Sequence, residues 1–160
     1  MTDPKEGDPV PDGVALCLRI PELGKLVDDE GHLRAGAIRK QGDQSVNDLR
    51  YSDLVSVLSE ERPLEGIGYL CSENARLFLR GDSPSIHESM AVSNPLEGNL
   101  SHAEIRAFVD GKRKKKLPRS VGAEYARLLA ERVVVIKHPG VPLDGWVSPD
   151  LNCQEDGAGT

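Results

Sequence analysis

Two short segments of alternating polarity, HESMAVS at 87–93 and HAEIRAFV at 102–109, flank the stretch NPLEGN at 94–99. A period of two puts successive side chains on opposite faces of a strand. In the second segment Ala103, Ile105, Ala107 and Val109 share one side. Between the segments, Pro95 fixes its own φ and lacks a donor, while Gly98 and Asn99 tolerate the left-handed backbone of a tight reversal. The pattern predicts two antiparallel strands, roughly 88–93 and 102–109, joined by this turn. A one-residue slip would turn Ile105 and Val109 to water, so the register is specified too. Any fold open to this chain must therefore hold an antiparallel pair.

Further elements can be read around that pair. VALCLRI at 14–20 is a strand with Leu16, Leu18 and Ile20 on one face and Ala15, Cys17 and Arg19 on the other, and Pro21 ends it. The polar, glycine-rich span that follows is expected to hold a short strand near Ala37–Arg39. Ser52 reads as an N-cap, with Asp53 at the positive end of a helix running to Glu60 before Pro63. Leu54, Val57 and Leu58 would be its buried stripe. In GIGYLCSENARLFLRG, Ile67, Leu70, Cys71, Ala75 and Phe78 fit a helix stopped by Gly81. Ser120 would cap a last helix buried through Val121, Tyr125, Leu128 and Leu129, and VVVIKH would close the domain as a buried strand. The order predicts an α+β fold: a small mixed or mostly antiparallel sheet with about three helices packed on it.

With 160 residues the chain suits one domain. Its expected limits are 13–143, between a disordered acidic tail at 1–12 and a mostly disordered one at 144–160, because both ends are rich in Pro, Gly and Asp. The net charge of −6 is unevenly spread: residues 104–137 carry ten Lys/Arg against four Asp/Glu, between acidic flanks. No apolar run approaches the roughly 20 residues of a membrane-spanning helix. The acidic start lacks the features of a secretory signal, which makes cytoplasm the expected location and a membrane partner unexpected. Cys17, Cys71 and Cys153 are odd in number and widely spaced; two buried small hydrophobes and one tail thiol are expected, not a disulfide. His32, His87, His102 and His138 show no ligand spacing, so no metal is expected, nor any other cofactor.

Three stretches hold candidate functional groups. The run Lys112, Arg113, Lys114, Lys115, Lys116 is expected as a solvated loop. It would serve an acidic protein partner or nucleic-acid phosphates, although no aromatic interleaves it to stack on bases. Around the turn, Asn94, Asn99 and His102 would converge near a strand end. An imidazole is a general acid or base near neutrality, and Arg19 on a neighbouring strand would bind an anionic substrate. In GDQSVND at 42–48, Ser45 and Asp48 are polar site groups or, as favoured here, parts of an Asx-type turn leading to the helix. Trp146 would seal the core edge or meet a partner.

The order of an arginine-bearing first strand, a "-SV-" step, a glycine-led apolar segment, and NPLEGNLSHAEI before a Gly-Lys stretch resembles a group of small bacterial proteins of uncharacterised activity. That group has an "SVD" step, a segment like "ENPAHA" and a strand ending in glycine with lysines. Here Asn47 stands where the group has Asp, and GNLSHAE replaces "ENPAHA". The resemblance spans roughly 14–137. It implies a bacterial, cytosolic origin and marks His102, and it implies no activity.

No nucleophile–base pair, metal cluster or phosphate loop stands out. The leading expectation is a non-catalytic module that binds a protein partner, an accessory subunit for example. The alternative is an enzyme of unknown reaction with a pocket around Arg19, Asn94 and His102, and a further one is nucleic-acid binding through 112–116. Function resides in sites and not in folds. The deciding geometry is whether Arg19, Ser45 and His102 line one concave pocket.

Overall fold

The computed structural model describes residues 2–40, 42–59, 64–81, 84–140, 143, 151 and 153. Among these the elements run β1 (Ala15–Ile20), α1 (Leu23–Leu26), β2 (Asp43–Asp48), α2 (Leu54–Leu58), β3 (Gly66–Cys71), β4 (Leu77–Leu79), β5 (His87–Ser93), β6 (His102–Val109), β7 (Lys112–Lys114), α3 (Arg119–Arg132) and β8 (Val134–Lys137). All the strands join one antiparallel sheet in the order β4-β5-β6-β2-β1-β3-β8, and β7 pairs with β6. β2 and β7 lie end to end along one edge of β6: β2 meets His102 to Arg106, and β7 meets Ala107 to Val109.

The β5–β6 pair and its turn form as the alternation requires, with Ala91 opposite Ile105 and Ser93 opposite Ala103. Leu96 and Asn99 exchange backbone bonds across the tip, at 3.0 and 2.9 Å, and Gly98 takes a φ of 76°. Leu16, Leu18 and Ile20 of β1, Val46 of β2, and Ala103, Ile105 and Ala107 of β6 face the main core. Val121, Tyr125, Ala126 and Leu129 of α3 are buried in the same cluster, and the Tyr125 hydroxyl donates to the Ile105 carbonyl at 3.2 Å. On the other face of the sheet, Leu54, Val57 and Leu58 of α2 form a second cluster with Cys17 and Ile67. α1 buries no residue.

Several expectations are corrected. Residues 66–79 form two strands around a 3-10 turn at Ser72–Ala75, not a helix. β3 is covered on both faces, so its apolar residues run together and imitate a helical stripe. Glycine is required at position 68 of this strand, because a Cβ there would collide with Val133 Cγ1, next to the strand that pairs with it. Residues 43–48 form the strand β2 instead of a turn, because β1 and β6 supply partners on both sides of an unpromising polar stretch. The short strand expected near Ala37–Arg39 is replaced by a 3-10 turn at Ala35–Ala37. The cap of α2 is Asp53, which accepts from Ser56 N at 2.7 Å, and α3 starts at Arg119 without a side-chain cap. β8 is a half-exposed edge strand, since among the described residues only β3 pairs with it.

The acidic N-terminal segment docks instead of trailing as a free tail. Gly7 N donates to Ser93 O at 2.8 Å, Val10 N donates to Ala91 O at 2.9 Å, and Val10 is buried in the core. Glu6 and Asp12 add ion pairs to Arg106 and Arg76. The segment offers β5 a partner and its acids meet arginines, which composition alone does not reveal. The cysteine expectation is also overturned: Cys71 and Cys153 form a disulfide with a Cα–Cα separation of 5.5 Å, and Cys17 is buried. Sequence distance hid this pairing, because the end of β3 and the C-terminal segment meet only in the fold. Of residues 144–160, only Leu151 and Cys153 are described; Trp146 lies outside the described residues.

Candidate functional site

The register of the three central strands builds the site. Cys17 of β1 faces Asn47 of β2, and Asn47 faces His102 of β6, with Ser45 opposite Glu104. Two residues further along each strand returns to the same face. Arg19, Ser45, Asn47, His102 and Glu104 therefore share the face opposite the main core. Arg19, Ser45, Asn47, Asn99 and His102 line one cavity of about 340 Å³ there, walled on its apolar side by Pro21 and Leu64. Its size lies at the small end of ligand pockets.

His102 is oriented by the turn. Its Nδ1 lies 2.8 Å from the Asn94 carbonyl oxygen. A carbonyl only accepts, so Nδ1 carries the proton of that bond and, in the neutral ring, Nε2 is left as an acceptor. Asn99 is fixed by Ser101, whose hydroxyl lies 2.6 Å from Asn99 Oδ1 and 3.2 Å from Asn47 Oδ1. The backbone Ser101 N donates to the same Asn99 oxygen at 3.2 Å.

Among the described residues no carboxylate lines the cavity. The nearest acid along β6, Glu104, is engaged by Arg106 Nε at 2.9 Å. Arg19 brings a guanidinium to the cavity, with an apolar wall and amide and hydroxyl groups around it. That combination suits an anion with a small apolar body.

Of the expected site residues, Arg19, Ser45 and His102 line this one cavity, and Asn99 joins them. Asn94 does not line the cavity; it supplies the carbonyl that orients His102. Asp48 is buried and held by Arg50, whose Nη2 donates at 2.6 Å. Asn47 was missed as a site residue. The mostly polar stretch DQSVND carries no strand alternation that would have placed Asn47 beside Ser45 on one face.

The basic run is a hairpin strand and not a loop: Asp110 and Gly111 take positive φ and Lys112–Lys114 pairs with β6. Lys112, Arg113, Lys114, Lys115 and Lys116 are exposed, and Arg113 is committed to Asp43 at 2.9 Å. None of the five lines the cavity. Among the described residues no group of three or more His, Cys, Asp or Glu is placed to hold a metal ion, and no helix is long and apolar enough to cross a membrane. No family model, curated protein or solved structure matches the chain.

Proposed function

We propose that this α+β protein is a cytoplasmic binding module for a small carboxylate, with Arg19 as the anion anchor and His102, Ser45 and Asn99 as orienting groups. The observation that carries the reading is the convergence of these side chains from three strands and a turn on one cavity. A single guanidinium matches one carboxylate, which it binds in a planar fork. A phosphate dianion would ask for more charge than Arg19 supplies. Pro21 and Leu64 would cover a short aliphatic body.

Titration of the isotopically labelled full chain with butyrate, inorganic phosphate and butanol, followed by amide shifts, tests this. Butyrate should shift Arg19, Ser45, Asn47 and His102, while phosphate and butanol leave them in place. Arg19→Met should weaken butyrate by roughly 10–100-fold, the value of a charge-assisted bond. His102→Gln keeps a hydrogen-bonding group but cannot take up a proton. It should bind within about threefold of the parent if the module is non-catalytic. Equal response to butanol and butyrate would remove the anion reading.

A second reading, a protein partner, is favoured by Phe78 on the edge strand β4, which is 70% exposed beside a half-exposed Ile86 at 51%. Large apolar side chains on a sheet edge suit a partner's apolar surface.

A further inference from the structure

The second cluster is small. Cys17, Leu54, Val57, Leu58 and Ile67 are its buried members, against a much larger main core. Its helix, α2, is five residues long, far too short to persist without tertiary contacts. The Cys71–Cys153 bond stands at the margin of this cluster. Ile67, Tyr69 and Cys71 alternate along β3 and share its face, and Leu151, two residues before Cys153, packs against the cluster. Leu64 packs there as well, and it also walls the cavity. The disulfide, the cluster and the cavity wall are thus continuous.

Both bonded cysteines are half-buried, so a reductant has access, whereas Cys17 is fully buried. Internal exchange is not the route. Cys17 faces Tyr69 and Cys71 faces Ala15, so the two cysteines are diagonal neighbours across β1 and β3. Such neighbours lie about 7–8 Å apart, beyond the usual reach of a disulfide. Exchange therefore requires an external thiol.

From this geometry we infer that Cys71–Cys153 is a reversible redox site whose reduction loosens α2 and the Leu64 wall of the cavity. A thiolate of an external dithiol attacks one sulfur, the Cys71–Cys153 bond breaks, and the departing thiolate takes a proton. The second thiol of the dithiol then attacks the mixed disulfide and releases the other cysteine as a thiol. Two electrons pass to the protein, and the dithiol ends as its own disulfide. In the cytoplasmic location proposed above, a disulfide of this kind is a sensor and not a permanent staple. The reversibility rests on the cytoplasmic location and the effect on the cavity on the binding-module reading, but the bond and the loosening of α2 rest on neither.

The test needs no ligand. The full chain is equilibrated in graded reduced and oxidised glutathione buffers spanning the range that keeps cytosolic thiols reduced. Its thiols are then counted by alkylation and mass, and amide exchange is recorded in parallel. Conversion from one thiol to three should occur within that range. With it, exchange at 54–58 and 64 should rise about tenfold or more, while β5 and β6 stay unchanged. Cys153→Ser should show the reduced pattern in every buffer. Three thiols in the most oxidising buffer, a bond that survives the most reducing one, or unchanged exchange at 54–58 would each overturn the proposal. A protein that switches as expected but never binds butyrate would instead sink only the assigned ligand.

Discussion

Glu124 shows how much one side chain on a helix can organise. From α3 it reaches the end of β4, where Oε1 accepts from Arg80 N at 2.7 Å and Oε2 from Gly81 N at 3.0 Å. The two backbone donors, Arg80 first, hold its carboxyl below the ordinary glutamate range. A depressed folded-state pKa stabilises above the unfolded-state pKa, and the contribution is lost as pH falls through the folded value. Glu124→Gln keeps one acceptor and loses the charge. It should therefore cost about 1 kcal/mol at neutral pH, with the gap to the parent closing under acid. Urea unfolding at pH 7 and pH 3 checks this, and a gap that persists unchanged at pH 3 would show that the charge is irrelevant. Tyr125, the next residue, has its hydroxyl pushed upward by burial and stays neutral in the core.

At the scale of elements, α3 separates two leucines that look equivalent in the sequence. Leu129 is fully buried, whereas Leu128 only packs against the edge of the core. Leu129→Ala should cost about 2–5 kcal/mol and Leu128→Ala less than half of that, measured by chemical denaturation. Equal losses would mean that the buried stripe of the helix is misplaced. The same contrast explains which elements were legible beforehand. β1, β5 and β6 each present one face to the core, so their alternation survives in the sequence. β3 is covered on both faces and β2 is mostly polar, so neither alternates cleanly, and both were misassigned. Of the site, Arg19, Ser45, Asn99 and His102 were recognisable as chemistry-bearing residues. Their convergence was not, because it depends on β1, β2 and β6 being adjacent, and β2 was not seen as a strand. Asn94 was misjudged for a different reason: a backbone carbonyl carries no side-chain signature.

For the molecule as a whole, the disulfide closes a long loop. A sequence separation of 82 residues implies about 4.5 kcal/mol in the chain-entropy account of cross-links. Cys153→Ser should accordingly lower the urea midpoint with β5 and β6 still folded at low denaturant, and a midpoint equal to the parent's would show that the bond constrains little. The charge asymmetry also becomes intelligible at this scale. The acidic N-terminal segment spends two of its carboxylates on Arg106 and Arg76, so the two signs attract within one molecule.

The position of β3 between β1 and β8 has a consequence in time. β1 precedes β3 along the chain and can pair with it early, whereas β8 is the last of the described strands to be made. At about 5–20 residues per second, synthesis from Cys71 to Lys137 takes roughly 3–13 s. For that interval the outer edge of β3 has no partner, and the glycines that later admit β8 leave that edge with little side-chain cover. The nascent chain is most vulnerable to mispairing then, and the hazard ends only when β8 emerges.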